Sequence, residues 1–272
     1  MREYVATALV LVAGLTSSLV AAAPAAELWA IWDASDESNG ATIEHVAWQQ
    51  FLDRYVVPGT AGINLVGYRR VAAADRQQLQ SYLRRLSDLD PRNFRRSEQL
   101  AYWVNLYNAL TVDVVLAHPG KDSILRMGDG WFDVGPWDKS LLSVAGETLT
   151  LNDIEHRILR PIWRDRRIHY ALNCASLGCP NLDPRAYTGV TSEQLLAAAE
   201  LAYINHERGI GFDDRNRLVV SKIYEWYVED FASDRQGLLD YLGERHGVLG
   251  DRLKAYTGRV RYDYDWALNV MQ

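Results

Sequence analysis

A long stretch that is apolar on nearly every side constrains the fold of this chain more than any other feature. Residues 98–118 have helical spacing, and the predicted helix begins after Ser97, a candidate cap, and ends at Pro119 and Gly120. Its apolar residues point in most directions: Leu100, Trp103, Val104, Leu106, Leu110, Val114 and Val115. A helix of this kind cannot leave a whole face in water, so we expect other elements to surround it. The sequence therefore predicts a domain built around a central helix.

The composition is that of a globular protein. Hydrophobic residues make up 48% and charged residues 24% of the 272 residues, which argues against a disordered, collagen-like or multi-span membrane protein. The 29 Lys and Arg residues are outnumbered by 35 Asp and Glu residues, which gives a net charge of -6. A protein held on nucleic acid needs a basic surplus, so we expect no nucleic-acid partner. Two cysteines allow at most one intrachain disulfide, which excludes a disulfide-built scaffold.

The N-terminus has the pattern of a secretory signal. Arg2 precedes an apolar run over residues 5–20, and small residues follow at 21–26. We predict a cleaved signal peptide at residues 1–25 and a mature protein, residues 26–272, that is periplasmic or secreted. The alternative is an uncleaved anchor, although the run is shorter than the ~20 residues of a spanning helix. No other segment looks apolar enough to span a bilayer, so we expect no stable membrane insertion after cleavage.

The mature chain has no internal repeat or long linker, and its periodicity predicts a single α+β domain with a small antiparallel sheet flanked by helices. Besides the central helix, helices are predicted at residues 43–57, 73–89, 153–160, 191–206, 223–231 and 236–245. Strands are predicted at residues 63–71, 141–144, 148–151, 167–173, 218–220 and 259–265, of which the second and third form a hairpin. Thr191 and Gln194 predict a capping box, and Pro161 is expected to end the helix before it.

Residues 152–180 carry the most chemistry. This stretch holds both cysteines, two of the six histidines and Glu155. Cys174 follows the predicted strand 167–173 and enters a tight loop, and such a rigid position suits a thiol nucleophile. A nearby imidazole would stabilise the thiolate, and His156 is the first candidate for this base because it lies on a separate element. The backbone N–H groups of residues 175–178 would receive an oxyanion.

Two further residues of this stretch are candidates for supporting roles. His169 is the second candidate for the base, but on a regular strand it points to the face opposite the cysteine. Glu155 is adjacent to His156 on the predicted helix, where neighbouring side chains diverge by about 100°, so it does not obviously orient that imidazole. Glu155 would instead pair with Arg160 or Arg167, or accept from loop N–H groups.

The two cysteines allow four interpretations, which the sequence leaves open. Cys174 and Cys179 could form a disulfide that stiffens the loop, since an exported protein meets an oxidising compartment. Cys174 could be reactive, with Cys179 as a resolving or spectator thiol. Both could ligate a structural zinc ion together with His156 and His169, although the spacing matches no common zinc finger. Both could also be inert buried thiols.

Two other motifs have a functional and a structural interpretation. Asn105 and Asn108 are three residues apart on one face of the central helix, and buried amides need partners. They could orient a base or hold a substrate carbonyl, or they could tie the helix to a neighbouring loop. The aromatic residues within 222–231 could pack in the core or form the wall of a binding groove.

Several motifs with known chemistry are absent from the sequence. There is no G-x-S-x-G, H-E-x-x-H, Walker A or G-x-G-x-x-G pattern. Their absence argues against an α/β-hydrolase, a zincin, a nucleotidase and a nicotinamide enzyme. No cofactor is implied.

Four segments together resemble a known family. They are Y-W-V-N-L-Y-N-A-L at 102–110, I-E-H-x-x-L-R at 154–160, R-I-H-Y-A-L-N-C-A-S-L-G-C-P at 167–180 and the aromatic segment before Asp230 and Phe231. In order and spacing they resemble the domain of unknown function family DUF 547, best over residues 94–231. The segment Y-D-W-A-L-N at 264–269 is similar to the tail of the exported bacterial members of that family.

The resemblance implies a fold similar to papain-like and transglutaminase-like thiol enzymes, in a rearranged order because both cysteines follow His156 here. It would make Cys174 and His156 the reactive pair and Glu155 a third member. The family itself has no settled activity.

The function we expect is an exported thiol-dependent hydrolase or transferase. It would act on an amide, a peptide or a small thiol-containing substrate through Cys174 and His156. The alternative is a non-catalytic module of the cell envelope, in which a Cys174–Cys179 disulfide locks the loop and the aromatic residues of 224–227 bind a peptide or an envelope component. A structural zinc site is the third hypothesis.

Overall fold

The computed structural model describes residues 24–59, 61–128 and 134–271. Helices and short strands are mixed along the described chain, and small sheets are flanked by helices, so the α+β class predicted from the sequence is confirmed. Of the predicted signal peptide, residues 1–23 lie outside the described residues.

The described residues contain ten α-helices of very different length. In chain order they are α1 (Val46–Tyr55), α2 (Ala73–Ser87), α3 (Arg96–Ala117), α4 (Arg160–Trp163), α5 (Ile168–Ala171), α6 (Ser192–Ile204), α7 (Ile223–Trp226), α8 (Val228–Phe231), α9 (Arg235–Arg245) and α10 (Gly250–Lys254). A π-helical segment, Asp153–Leu159, runs directly into α4, and 3-10 turns lie at Ala30–Trp32, Tyr68–Arg70, Pro91–Asn93 and Ile124–Arg126. The predicted helices at 43–57, 73–89, 98–118, 191–206 and 236–245 are confirmed with somewhat different ends.

The described strands are short and form three small sheets. In chain order they are β1 (Val56–Pro58), β2 (Asn64–Val66), β3 (Leu142–Val144), β4 (Glu147–Leu149), β5 (Ile210–Phe212), β6 (Leu218–Ser221) and β7 (Arg261–Asp263). The antiparallel pairs are β1 with β2, β3 with β4 and β5 with β6, in registers that place Val56 opposite Val66, Leu142 opposite Leu149 and Ile210 opposite Val220. The last strand, β7, instead pairs with β6 in parallel, with Val220 opposite Tyr262.

The predicted hairpin at β3 and β4 is confirmed, and its turn explains its register. Ala145 and Gly146 form a two-residue connection with φ values of 48° and 88°. Positive φ at both central residues is the geometry of a type I′ turn, which matches the twist of the two strands.

The helix α3 lies in the centre of the larger of two clusters of buried apolar side chains, as the sequence predicted. Its predicted cap is wrong, because the helix begins at Arg96 and the Ser97 side chain makes no capping bond. The N–H group of Arg96 instead donates to Glu37 Oε1 at 3.0 Å, so a distant segment satisfies the helix terminus. Among the described helices, α3 alone is long and apolar enough to cross a membrane by length and composition, and 78% of that apolar window is buried inside the protein.

The second cluster of buried apolar side chains surrounds β5, β6 and the helices α7 to α9. The short helix α5 lies between the two clusters, since Ile168 and Ala171 belong to the first and Tyr170 to the second. The strand predicted at 167–173 is therefore wrong. Asp165 Oδ1 accepts from the N–H group of Arg167 at 2.9 Å and starts a helical turn. All four residues of α5 are buried, so the alternation of apolar residues did not indicate a strand with one exposed face.

The helix predicted to end at Pro161 continues to Trp163. Pro161 has no N–H group, so it leaves carbonyl groups one turn earlier without a helical donor. The carbonyls of His156 and Arg157 accept from the N–H groups of Glu27 and Trp29, at 3.0 and 2.9 Å. The N-terminal segment thus lies along this helix and supplies the missing donors, which allows the chain to pass through proline as a π-helix followed by α4.

Two sequence details at other helix ends are also corrected. The capping box predicted from Thr191 and Gln194 does not form, because Thr191 Oγ1 lies 2.7 Å from Thr188 Oγ1 and caps no N–H group of α6. The predicted helix 223–231 is divided into α7 and α8 at Tyr227. At this division the Tyr227 ring packs against His156 and His169.

Candidate functional site

A cleft of about 550 Å³ brings together segments that are far apart in the sequence. Its lining comes from α3, the π-helical segment, the loop after α5, the region of α7 and the C-terminal segment. All three predicted catalytic residues and two of the secondary candidates line it: Glu155, His156, His169, Cys174 and Cys179. The sequence therefore identified the region of the cleft, while the contacts within it differ from those expected.

Asn105 and Asn108 tie α3 to two loops. Asn108 Oδ1 accepts from the N–H group of Asn173 at 2.8 Å, and its Nδ2 donates to the carbonyl of Ala171 at 2.9 Å. Asn105 makes the same two-sided contact with the backbone of Tyr187, at 3.0 and 2.8 Å. These bonds correspond to the structural interpretation of both residues, and those of Asn108 hold the backbone that leads into Cys174.

The backbone of the thiol loop is held on its other side by the C-terminal segment. Leu177 N–H donates to the carbonyl of Ala267 and Gly178 N–H to that of Asp265, both at 2.8 Å. Ala175, at φ 60°, donates its N–H to Asn173 Oδ1 at 3.0 Å. The oxyanion site predicted from residues 175–178 is therefore wrong for three of its four N–H groups, because these donors already have acceptors.

The sulfur of Cys174 is surrounded by hydroxyl groups and a second thiol. Tyr264 Oη lies 3.0 Å and Ser176 Oγ 3.1 Å from Cys174 Sγ. The N–H group of Cys174 donates to Cys179 Sγ at 2.9 Å. Both thiols are free, Cys174 partly exposed and Cys179 buried, so the disulfide alternative is not the state seen in this structure.

The two thiols of this pair differ in acidity. Burial raises the pKa of the Cys174 thiol, but hydrogen bonds from Cys179, Ser176 and Tyr264 outweigh burial and leave the pKa below its ordinary value. Burial and the neighbouring Cys174 raise the pKa of Cys179 well above its ordinary value. The first negative charge on the pair therefore resides on Cys174, the thiol that lines the open part of the cleft.

The histidines of the cleft belong to a buried charged cluster. Both nitrogens of His169 face carboxylates, with Asp230 Oδ2 2.7 Å from Nε2 and Glu155 Oε1 3.6 Å from Nδ1. Arg160 donates through Nε to Asp230 at 2.6 Å. The ring of Tyr227 stacks on His169 at 4.3 Å between centroids. Glu155 thus contacts His169, a partner that the sequence analysis did not consider.

The carboxylates of this cluster set the charge of His169. Burial alone would lower the pKa of His169, but the bonds to Asp230 and Glu155 raise it above its ordinary value. Burial would raise the pKa of Glu155, but His156, His169 and Arg160 lower it to about 2. The two carboxylates therefore favour the protonated form of His169, and a protonated imidazole cannot take a proton from a thiol.

His156 has a different state from His169. Its Nδ1 lies 3.1 Å from Arg160 Nη1, and burial followed by the charge of Arg160 lowers its pKa despite the opposing effect of Glu155. Because a guanidinium only donates, Nδ1 accepts, and the neutral ring carries its proton on Nε2. Within the described residues no hydrogen bond joins His156 to Cys174 or reaches its Nε2. The ring thus has an Nε2–H donor with no acceptor among the described residues, and the role of His156 as the base stays a prediction.

One side of the cleft is an aromatic wall formed by Trp137, Trp226, Tyr264 and Trp266. Ring centroids are 4.6 Å apart for Tyr264 and Trp266, 4.9 Å for Trp226 and Tyr264, and 5.8 Å for Trp137 and Trp266. The aromatic residues of α7 divide between the two expected roles, since Trp226 lines the cleft and Tyr224 is fully buried in the second cluster. Sequence reasoning assigned no role to Tyr264, although the tail segment that carries it was part of the family resemblance.

The zinc hypothesis finds no support in the geometry. Across residues 24–59, 61–128 and 134–271, no three His, Cys, Asp or Glu side chains are arranged to hold a metal ion together. The two histidines that zinc would need already contact Arg160, Asp230 and Glu155.

Comparison with known proteins supports the resemblance that the sequence motifs indicated. None of the curated proteins and none of the solved structures matches the chain. Residues 91–204 match the family model described as "Protein of unknown function, DUF547", and this segment runs from the turn before α3 to the end of α6. It contains Glu155, His156, His169 and both cysteines, while Asp230 and Tyr264 lie beyond it. The resemblance of this chain to the DUF547 family is thereby confirmed.

Proposed function

We propose that this domain is a thiol-dependent acyl hydrolase or transferase with Cys174 as the nucleophile. The observation that carries the proposal is the pair of hydroxyl groups, Tyr264 Oη at 3.0 Å and Ser176 Oγ at 3.1 Å, around a sulfur that lines a cleft of about 550 Å³. Ser176 Oγ donates to Tyr264 Oη at 3.0 Å, which leaves the proton of Tyr264 for the sulfur. A hydrogen-bond donor at this distance favours the thiolate, and a partly exposed thiolate is a strong nucleophile.

In the first step, the Cys174 thiolate attacks the carbonyl carbon of the substrate. A carbon–sulfur bond forms, and the carbonyl π electrons move to the oxygen. His156 lines the same cleft, and its Nε2–H group would supply a donor for this oxyanion. Collapse of the intermediate breaks the bond to the leaving group, and water or a second nucleophile then takes the acyl group from Cys174.

The leaving group that fits this site best is a thiolate. In a cysteine–histidine pair, the imidazolium gives its proton to a leaving amine. Among the described residues no histidine is hydrogen-bonded to Cys174 Sγ, and His156 is neutral. A thiolate departs without a proton because the pKa of its thiol is only about 8.5. We therefore favour a thioester, from which a thiol is released, over an amide or a peptide.

The pKa of Cys174 gives the first test. We expect iodoacetamide to label Cys174 in the unreduced mature protein, with a rate that levels off well below the pH of about 8.5 typical of a free thiol. Tyr264→Phe removes the hydroxyl and keeps the ring, so its plateau should move to higher pH. Tyr262→Phe is the matched control. Tyr262 lies on β7 only two residues before Tyr264, but it is the Tyr264 hydroxyl that contacts Cys174 Sγ. Residue-specific mass spectrometry measures both rates.

Two results would argue against Cys174 as the nucleophile. A Cys174 profile centred near 8.5, unchanged by Tyr264→Phe, would show an ordinary thiol and would overturn the proposal. Labelling of neither cysteine before reductant is added would show a disulfide, and would favour the non-catalytic envelope module.

The preference for a thiol leaving group has its own test. We expect S-phenyl thioacetate to acetylate Cys174, with release of thiophenol, and acetanilide to react at least ~100-fold more slowly because its amine needs a proton. The intact mass of the protein reports the acetyl adduct, and Cys174→Ser is the blank. Equal reaction with both compounds would show that a proton donor acts on the leaving group.

Thiol–disulfide exchange is a second candidate, favoured by the bond from Cys174 N–H to Cys179 Sγ at 2.9 Å. Cys174 would attack a substrate disulfide and expel one thiolate. Cys179 would then attack Cys174, close the protein disulfide and expel the other thiolate, so that the substrate is reduced and the protein oxidised. With oxidised glutathione, Cys179→Ser should retain a mixed disulfide at Cys174, whereas the native protein should lose two hydrogens. Absence of either product excludes this candidate.

We also infer that residues 1–25 are a cleaved signal peptide and that the mature protein acts in the periplasm or outside the cell. The support is the apolar run at 5–20 with the small residues after it. Cleavage after Ala25 would also remove Pro24, whose carbonyl accepts from Arg160 Nη1 at 2.8 Å. N-terminal sequencing of the exported protein tests this site, and an intact residue 1 would contradict it.

A further inference from the structure

Lys222 enters the cleft from a rigid position. It follows β6 directly and precedes α7. Its N–H group donates to the carbonyl of Asp263 at 3.0 Å, and its carbonyl accepts from the N–H group of Trp226 at 2.8 Å. The side chain is half-buried and lines the cleft. The backbone bonds therefore fix the origin of a cationic residue that lines the site.

The second observation concerns the charge of Lys222. Within the described residues, no ion pair or side-chain hydrogen bond reaches its ammonium group. The other charged groups of the cleft have partners, since Glu155 faces His169 and Asp138 accepts from Asn152 at 2.7 Å. Half-buried cations normally find a counter-charge, and this one stands in a protein whose net charge is -6.

The aromatic wall connects this cation to the thiol. Trp226 lies one helical turn after Lys222, where side chains share a face. Its ring lies 4.9 Å from that of Tyr264, and Tyr264 Oη lies 3.0 Å from Cys174 Sγ. A flat or apolar part of a ligand that covers Trp226 and Tyr264 would therefore lie between a positive charge and the nucleophile.

We propose that Lys222 binds a carboxylate of the acyl substrate, whose flat or apolar part lies on Trp226 and Tyr264. The substrate class is then an anionic acyl compound. This inference rests on the proposed function, because it places the carboxylate in the site of thiol attack. Lys222 is a specificity-determining residue in this scheme and has no part in the chemical step.

Two alkylating reagents of nearly equal size test the inference. Iodoacetate carries a carboxylate and iodoacetamide does not, so the ratio of their rates at Cys174 measures the attraction of an anion into the cleft. Lys222→Gln should lower this ratio about three- to tenfold and leave the iodoacetamide rate unchanged. Added salt should reduce the difference between the native protein and the variant. Lys121→Gln, an exposed lysine outside the cleft lining, is the control of equal charge change.

Each other result overturns the inference. An unchanged ratio in Lys222→Gln would show that the ammonium group does not meet the anion. A ratio that falls equally in Lys121→Gln would show only the effect of net charge. A loss of rate with both reagents would show that Lys222 stabilises the thiolate itself and does not select an anionic ligand.

A binding measurement separates failure of this inference from failure of the proposed function. In Cys174→Ser no thiol chemistry is required, and ligand-observed NMR can compare phenylacetate with phenylacetamide. We expect phenylacetate to bind more tightly by about three- to tenfold, and Lys222→Gln to remove the difference. Equal binding of both compounds would reject the anionic substrate class even if Cys174 is a nucleophile. A clear preference with an inert Cys174 would keep the anion site and reject the acyl chemistry.

Discussion

At the residue scale, burial and the charged neighbours of each histidine determine the direction of its pKa shift. Burial, followed by the charge of Arg160 at Nδ1, lowers the pKa of His156 despite Glu155, whereas hydrogen bonds to Asp230 and Glu155 raise the pKa of His169 despite its burial. Among the described residues, the side chains hydrogen-bonded to Cys174 Sγ carry hydroxyl groups and not an imidazole. The acidity of the thiol and the proposed oxyanion donor, His156, are therefore separate features of the cleft.

This separation predicts the behaviour of His156→Phe, which keeps a ring and removes both nitrogens. We expect the pH profile of Cys174 alkylation by iodoacetamide to stay unchanged, because no hydrogen bond joins His156 to the sulfur in the described residues. Acyl transfer from S-phenyl thioacetate should fall about 100- to 1,000-fold, the usual cost of one oxyanion donor. Stopped-flow release of thiophenol and the alkylation profile measure the two effects. An alkylation plateau that moves to higher pH would show instead that His156 is the base predicted from the sequence.

At the element scale, α3 positions the thiol through its amides, although α3 supplies no nucleophile. Asn108 and Asn105 each satisfy one N–H and one carbonyl of a loop, and both side chains are almost fully buried. The π-helical segment has a similar role on the other side, because its irregular turn buries Glu155 and His156 together although they are sequence neighbours. A π-helical turn is a frequent feature of functional sites.

The two asparagines give a matched pair of variants. Asn108→Ala and Asn105→Ala each leave two buried backbone groups without partners, so each should lower the free energy of unfolding by about 2–4 kcal/mol. Only Asn108→Ala should also change the pH profile of Cys174 alkylation, because its bonds hold Ala171 and Asn173. Urea denaturation and residue-resolved alkylation measure the two effects. A profile altered equally by both variants would mean that general loosening, and not the position of the loop, governs the thiol.

At the scale of the whole molecule, the buried charged cluster joins elements from both apolar clusters. Arg160 at the start of α4 pairs with Asp230 of α8, and Glu155 of the π-helical segment faces His169 of α5. The elements that carry the site are thus linked by ionised groups as well as by packing. Acid should loosen these links, since protonation of the carboxylates removes the anions that His169 and Arg160 need.

The pH dependence of stability follows from the sign of each shift. Nearby cations lower the pKa of Glu155 and Asp230 to about 2, although burial opposes them. These carboxylates therefore stabilise the fold above about pH 5, and that stabilisation is lost as the pH falls toward 2. The raised pKa of His169 favours the fold below its ordinary pKa, and the lowered pKa of His156 favours it above, so the histidines partly offset each other.

Glu155→Gln tests how much the Glu155 carboxylate contributes to the loss of stability in acid. Between pH 6 and pH 3 the native protein should lose about 2 kcal/mol more free energy of unfolding than the variant, because the amide that replaces the carboxylate does not titrate. Urea midpoints across this pH range measure the difference, and Glu193→Gln, an exposed partner of Arg167, serves as a control. Parallel curves for the native protein and Glu155→Gln would show that Glu155 is not held ionised by its neighbours.

Much of the local structure could be read from the sequence. The buried helix α3, the helix α2 and the hairpin of β3 and β4 were predicted because their signals are local: apolar residues on most sides, helical spacing, and a turn that accepts positive φ. The strand at 167–173 and the end at Pro161 were wrong, because burial from two clusters and donors from Glu27 and Trp29 came from elsewhere in the chain.

By itself, the sequence determined that this is an α+β domain resembling DUF547, that α3 is central, and that residues 152–180 carry the cysteines and histidines that line the cleft. The tertiary structure decided which groups meet. Cys174 and Tyr264 are 90 residues apart, and His169 and Asp230 are 61 apart. Sequence spacing carries no information about such contacts, because they depend on how β7 and α8 pack against the rest of the chain. A charge state set by those contacts, such as that of His156, is therefore a property of the folded molecule alone.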